Sequence, residues 1–248
     1  MALPIIRGHI RRRLLLNYRA DPDVVAGMLP NNFRPKQVRG HAVVGLCLIR
    51  LEALRPRGLP TWVGVASENA AHRFAVEWDE GDEVRTGVYI AQRHTNSRLN
   101  ALAGGRIFPG VHRHTQFEVT DTGARITMRV TTKSAIAPVV EVAAQTTSTL
   151  PKASIFKDIA EASDFFEAAS LGYSSRPDSQ ILDGLTLRTA HWLVSPLAVS
   201  GLTSEFFDDP QRFPRGSLHF DHALLMRDTP HEWHAESALE APLCATVP

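Results

Sequence analysis

Branched and aromatic residues in this chain gather into short runs separated by proline, glycine and acidic turns, a spacing that predicts strands more than helices. His9 to Arg19 is the first run, carrying Arg11 to Arg13, Leu14 to Leu16 and Tyr18, and it stops at Asp21-Pro22. There Asp21 caps a short helix with Pro22 at its first position, and Val24, Val25, Met28 and Leu29 supply its apolar face until Pro30. His41 to Leu54 holds the stretch AVVGLCLIRLEAL, a central strand closed by the turn Arg55-Pro56-Arg57-Gly58. Ala70 to Trp78 and Val84 to Arg93 read as a hairpin across Asp79 to Asp82, and Val111 to Thr120 with Ala124 to Thr132 repeat it about Asp121-Thr122-Gly123. Leu185 to Val199 and Ser217 to Arg227 return to strand-like composition. Helix is sparse: a turn over Ser97 to Ala103 ending at Gly104-Gly105, and a helix from Ser163 to Ser170 capped by its serine. The tail from about residue 234 is expected to be loose.

An antiparallel meander of this kind fits one domain over residues 1–248, since β-rich folds of this length form a single core. Composition supports a folded globule, with 44% hydrophobic and 21% charged residues. Basic residues number 27 against 26 acidic ones, so no global field recruits nucleic acid or an anionic membrane, and the expected partner is a small molecule or another protein. Lys36, Lys133, Lys152 and Lys157 are the lysines; arginine supplies the rest, and arginine grips carboxylates as a fork without deprotonating. Cys47 lies inside the apolar run Val43 to Ile49 and reads as a buried small hydrophobe, far in sequence from Cys244. Neither a signal-peptide pattern nor a membrane-length apolar run occurs, which leaves the cytoplasm as the expected compartment. Burial of sheet edges favours a homo-oligomer.

The segment YRAD at Tyr18 to Asp21 resembles the opening of acetoacetate decarboxylases. More of the chain, from RRRLLLNYRADPDVVAGMLP through RPRGLP, SENAAHR, SRLNALAGGRIFPGVH, GYS and FDHALLM, resembles the YqjF-like family of uncharacterised bacterial proteins in the same superfamily. The resemblance implies a β-rich α+β fold: an antiparallel sheet closed into an acetoacetate decarboxylase-like barrel with a few short helices. In those decarboxylases a lysine forms a Schiff base with the substrate ketone, a neighbouring cation lowers its pKa, and an arginine and a glutamate serve the substrate. By position, the resemblance matches Arg11 to that arginine and Glu68 to that glutamate. The lysine pair corresponds to Gly104 to His114, GGRIFPGVHRH, which contains no lysine. An imine needs a primary amine, so the usual decarboxylation is not expected here.

What the segment offers instead is His112 and His114, which point to one face of a strand and can pass a proton, ligate a metal or simply sit exposed. Glu68 is a candidate general base or half of a salt bridge, with His72 and Arg73 nearby. Arg11, Arg93 and Arg106 are candidate anion clamps, and because Arg12 and Arg13 alternate in direction only part of the triplet can face a pocket. Tyr173 is placed either to offer its hydroxyl to a ligand or to anchor a turn. Gly104-Gly105-Arg106 lacks P-loop spacing, no GxSxG elbow occurs, and Asp221 and His222, adjacent on a strand, should face opposite sides. The expectation is a lyase, hydratase or isomerase acting on an oxo acid or related carbonyl compound. Glu68, His112 and His114 would be catalytic, Arg11, His72, Arg93, Arg106 and Tyr173 would bind the substrate, and no cofactor or resident metal is required. Two alternatives stand beside it: a non-catalytic module binding a hydrophobic acid, and a metal-assisted hydrolase using His112 and His114 with Glu68 or His94.

Overall fold

The computed structural model describes residues 4–98, 110–132, 137–176 and 180–240. In chain order the strands are β1 (Ile6–Ala20), β2 (Arg34–Pro35), β3 (Gln37–Val38), β4 (His41–Pro56), β5 (Val65–Glu80), β6 (Glu83–Thr95), β7 (His112–His114) and β8 (Gln116–Asp121). They continue with β9 (Arg125–Thr131), β10 (Val140–Thr146), β11 (Leu171–Ser175), β12 (Ile181–Thr189), β13 (Ser195–Ser204) and β14 (Leu218–Glu240). Helix α1 (Pro22–Ala26) follows β1 and α2 (Ile159–Ala168) precedes β11.

Hydrogen bonding closes the sheet on itself. The ring runs β1, β4, β5, β6, β11, β12, β14 and back to β1, antiparallel throughout except where β11 meets β6. Strand β14 is long enough to serve two neighbours on one edge. Its first part pairs with β13 at Ala223 to Leu225 and its last part with β12 at His231 to Glu240. From β13 the sheet continues through β10, β9 and β8, an outer layer laid over the ring.

This double arrangement explains the unbroken apolar runs. Leu14 and Leu16 on β1 join Val44, Leu46, Phe74 and Val76 against Ile126, Met128, Val140, Val142 and Leu197 of the outer layer. Leu15 turns the other way, into the ring, where it meets Cys47, Ile49, Leu185, Leu187, Leu224 and Phe166 of α2. A strand buried on both faces shows no alternation, and leucine at three successive positions is the result.

Local chemistry agrees with the sequence at α1, where the Asp21 carboxylate accepts from the Asp23 and Val24 amides. At α2 the cap is Asp158, which accepts from the Glu161 amide at 2.9 Å, and Ser163 lies inside the helix. An aspartate in extended conformation five residues before the expected start meets the first free N–H groups sooner. The expected loose tail from about 234 is displaced too, because β14 continues to Glu240 and Leu239 pairs with Leu182. The stretch Leu185 to Val199 divides between β12 and β13, and β10 and β11 are strands the sequence did not announce. The turn expected at Ser97 to Ala103 lies mostly outside the described residues. Among the described residues no helix is long and apolar enough to cross a membrane.

Candidate functional site

A β-bulge decides which arginine of the triplet enters the ring. The β1–β4 register slips between Ile10 and Arg12, so two consecutive residues, Arg11 and Arg12, stay on the outer side, and Arg13 returns inward. Arg13 joins Cys47 of β4, Arg73 of β5 and Arg93 of β6 around a cavity of ≈ 90 Å³. Its walls are otherwise mainly apolar, from Ile49, Leu51, Val88, Ile90, Leu185 and Leu187, and Asn69, His94, His112, Ser170 and Trp233 also line it. That volume holds several waters or a small organic acid.

Each cavity arginine is held by neutral groups. Arg13 donates from Nε to Cys47 Sγ at 3.4 Å and lies over the Trp192 ring at 5.3 Å, while its buried Nη1 has no partner. Arg73 donates from Nη2 to Asn17 Oδ1 at 2.7 Å and stacks over Phe166 at 4.9 Å. Arg93 donates from Nε and Nη2 to Ser174 Oγ at 3.3 and 3.1 Å. Among the described residues, no carboxylate forms an ion pair with any of the three. Burial therefore pulls the Arg73 and Arg93 guanidiniums down to about 10, with Cys47 acting weakly against it. Surface arginines behave in the opposite way: hydrogen bonds donated to Asp79 and Glu77 raise Arg34, and those donated to Asp183 raise Arg176.

Of the residues expected in the site, Arg93 and His112 line the cavity, and they stand opposite each other where β6 and β7 pair in parallel. His114 continues the same strand beside Thr95 and is not part of the lining. Arg11 is carried to the surface by the bulge and pairs with Asp228. Glu68 also faces outward. Arg12 Nη2 donates to both its carboxylate oxygens at 2.9 Å, Arg50 lies 4.0 Å away, and Arg12 reaches on to Asp121 at 3.5 Å. Burial pushes the Glu68 carboxyl up while Arg12 and Arg50 pull it back, and the net shift is upward. The salt-bridge reading of Glu68 is the geometry found.

His72 alternates with Arg73 and so sits outside the ring, against Phe206 at 4.6 Å between ring centroids and His94 at 5.7 Å; burial first, then His94, depresses it to about 3. Tyr173 packs edge-on to Trp78 and donates its hydroxyl to the Ser237 carbonyl at 3.1 Å, an anchoring role. Arg106 lies outside the described residues. No group of three or more His, Cys, Asp or Glu that could hold a metal occurs among the described residues. Nor does a lysine line the cavity among them: Lys36 Nζ lies over the Phe165 ring at 4.9 Å, Lys152 and Lys157 are exposed, and Lys133 is outside the described set.

Sequence reasoning missed Arg13, Arg73 and Cys47 as lining residues. The available signal was chemical: an arginine between Ala70-Ala71 and Phe74 on a buried strand has to be accounted for. It also misjudged Asp221 and His222, which are bonded, His222 Nδ1 to Asp221 Oδ2 at 2.6 Å, because a second bulge inserts Asp221 where Asn17 pairs with His222 and Tyr18 with Phe220.

The strand ring under an outer sheet is the fold of acetoacetate decarboxylase-like proteins. Solved structures with this fold include acetoacetate decarboxylase from Legionella pneumophila, with TM-score 0.61, 13% identity and coverage of 96% of this chain and 88% of that one. An acetoacetate decarboxylase-like enzyme from Sphingomonas wittichii RW1 is 11% identical, with TM-score 0.61 and coverage of 97% and 94%. The enduracididine biosynthesis enzyme MppR, solved in complex with pyruvate, is 9% identical, with TM-score 0.63 and coverage of 97% and 91%. No curated protein matches the chain in sequence. The chain belongs to the DUF2071 family of uncharacterized conserved proteins, whose model matches residues 8–202.

Proposed function

We propose that the ring interior binds a small oxo acid or related carbonyl-bearing carboxylate and acts on it as a lyase, hydratase or isomerase without imine chemistry. The observation that carries this reading is the set of three guanidiniums, Arg13, Arg73 and Arg93, turned into one small cavity with no carboxylate among the described residues to answer them. Cations so placed disfavour folding unless an anion joins them, and a carboxylate meets a guanidinium through two parallel hydrogen bonds. A second guanidinium aimed at the substrate's carbonyl oxygen would stabilise an enolate as charge develops there. His112, which lines the cavity, is the residue suited to move the proton, in place of the outward-facing Glu68. MppR, a relative in fold, has been solved with pyruvate, which is consistent with an oxo acid in a ring of this kind.

A second reading, binding without turnover, is favoured by one observation: no carboxylate base lines the cavity among the described residues. The two readings part in a single experiment. Titration calorimetry with a panel of short α- and β-oxo acids measures binding, and proton NMR in D₂O follows exchange of the hydrogens next to the carbonyl. Binding with exchange that disappears in His112→Gln supports the enzyme, binding without exchange supports the module, and absence of binding across the panel defeats both. Replacing one cavity arginine by methionine should weaken binding by roughly tenfold or more, the value of one charge-assisted hydrogen bond.

A further inference from the structure

We infer that Asn17, His222 and Asp221 are positioning residues that aim Arg73 into the cavity and keep its charge unneutralised for the ligand, an inference resting on the anion-binding reading above. The chain of contacts has one polarity from end to end. Arg73 Nη2 can only donate, so the Asn17 amide must turn its oxygen toward it, 2.7 Å away. That turns Asn17 Nδ2 toward Leu15 O at 3.2 Å and His222 Nε2 at 3.0 Å. An amide nitrogen also only donates, so His222 Nε2 must carry its lone pair and the ring proton must sit on Nδ1. Nδ1–H then points to Asp221 Oδ2 at 2.6 Å. Asp221 is held in turn by the Ser154 hydroxyl at 2.7 Å, the Ile155 amide at 2.9 Å and Arg19 at 3.3 Å.

Burial makes this polarity binding on each member. Asn17 is 1% exposed, His222 0%, Asp221 4% and Arg73 6%, so no bulk water offers an alternative partner. The rings of Phe156 and Phe166 flank His222 at 5.1 and 5.8 Å. Room for the amide exists because position 45 on β4 has no side chain: a Cβ there would come within 3.0 Å of Asn17 Oδ1 and 2.5 Å of the Leu16 carbonyl. The bulge at Asp221 is what allows neighbouring residues of β14 to bond to each other and so complete the relay. An aspartate at position 17 would fill the same space and pair with Arg73 directly. The chain has an amide instead, and the carboxylate stands two hydrogen bonds further back.

Cys47 provides the test, since its thiol lies in the same cavity 3.4 Å from Arg13. In a Cys244→Ser background, rates of alkylation by iodoacetate and by neutral iodoacetamide are measured by mass spectrometry, with glutathione as reference. The neutral reagent reports access alone, and the ratio of the two rates reports the pull on an anion. In the otherwise native chain that ratio should exceed glutathione's by roughly tenfold. Asn17→Asp should bring it down toward glutathione's, and Asp221→Asn, which removes the acceptor fixing the His222 tautomer, should lower it as well. A purely structural relay predicts that both rates change together and the ratio holds. An unchanged ratio in the folded variants overturns the relay while leaving the anion site standing. A parent ratio equal to glutathione's overturns the anion site and the relay with it. Should Asn17→Asp fail to fold, Asp221→Asn decides the matter.

Discussion

Replacing Arg93 by methionine should make the protein more stable. Arg93 keeps its charge at neutral pH although burial has drawn its guanidinium down to about 10, well below the usual range. At about 1.4 kcal/mol per pH unit, carrying that charge inside the ring costs the folded state roughly 3 kcal/mol. Against this stand two bonds to one acceptor, Ser174 Oγ at 3.3 and 3.1 Å, together worth about 1 kcal/mol. Methionine has comparable length and flexibility and would fill the vacated space along Ile90 and Val88. The net gain is about 2 kcal/mol, which in a chain of this size raises Tm by roughly 4 to 8 °C. Calorimetric melting of both proteins measures it, together with the expected weakening of oxo-acid binding. A Tm lowered by several degrees would refute the reasoning, because it would show Arg93 to be a strut between β6 and β11 and not a group held at a cost for a ligand.

Two further outcomes concern the layers around the cavity. Arg12→Ala should destabilise by about 3–5 kcal/mol in urea unfolding, because it strands the buried Glu68 carboxylate. Arg12→Met with Glu68→Leu should recover most of that loss, and equal stability of the single variant and the parent would show the pair to be idle. Acid should unfold the protein early. Burial depresses His72 to about 3, His94 to about 4 and His231 to about 3, so between about 4 and 6.5 the unfolded chain binds more protons than the folded one. Stability is then full above about 6.5 and falls as pH drops, by roughly 4 kcal/mol per pH unit once all three imidazoles titrate in the unfolded state. Denaturant midpoints that agree at pH 7 and pH 5 would contradict this account.

Much of the fold was legible because its signals are local. The hairpin about Asp79 to Asp82, the Asp21-Pro22 helix start and the strand at His41 each rest on turn or capping chemistry that a few residues contain. Strands β10 and β11 were less visible. β11 begins directly after α2 and holds only Leu171 to Ser175, and its place is set by parallel pairing with β6, a partner more than eighty positions earlier in the chain. The end of β14 escaped for a related reason: His231 to Glu240 reads as polar, and what holds it in the sheet is β12. Pairing across long sequence separation leaves little trace in composition.

The site was less legible because alternation was applied across strands that do not keep strict alternation. At Arg11 one extra residue sends two arginines outward and brings Arg13 in; at Asp221 another lets neighbours on one strand bond to each other. Both irregularities flank β1: one lies in β1 itself where it pairs with β4, the other in β14 where it pairs with β1. Their effects converge, since Arg13 reaches the cavity from one and the Asn17–His222–Asp221 support of Arg73 depends on the other. A bulge shifts the residues beside it to the opposite face while leaving the rest of the strand in register. The ring can thus keep Leu14, Leu15 and Leu16 packed while Arg13 on one side of them turns toward the interior and Asn17 on the other holds Arg73. Charge enters this barrel at points where the ladder slips, and substitutions that restored regular pairing near Arg11 would be expected to exchange Arg13 for Arg12 in the cavity.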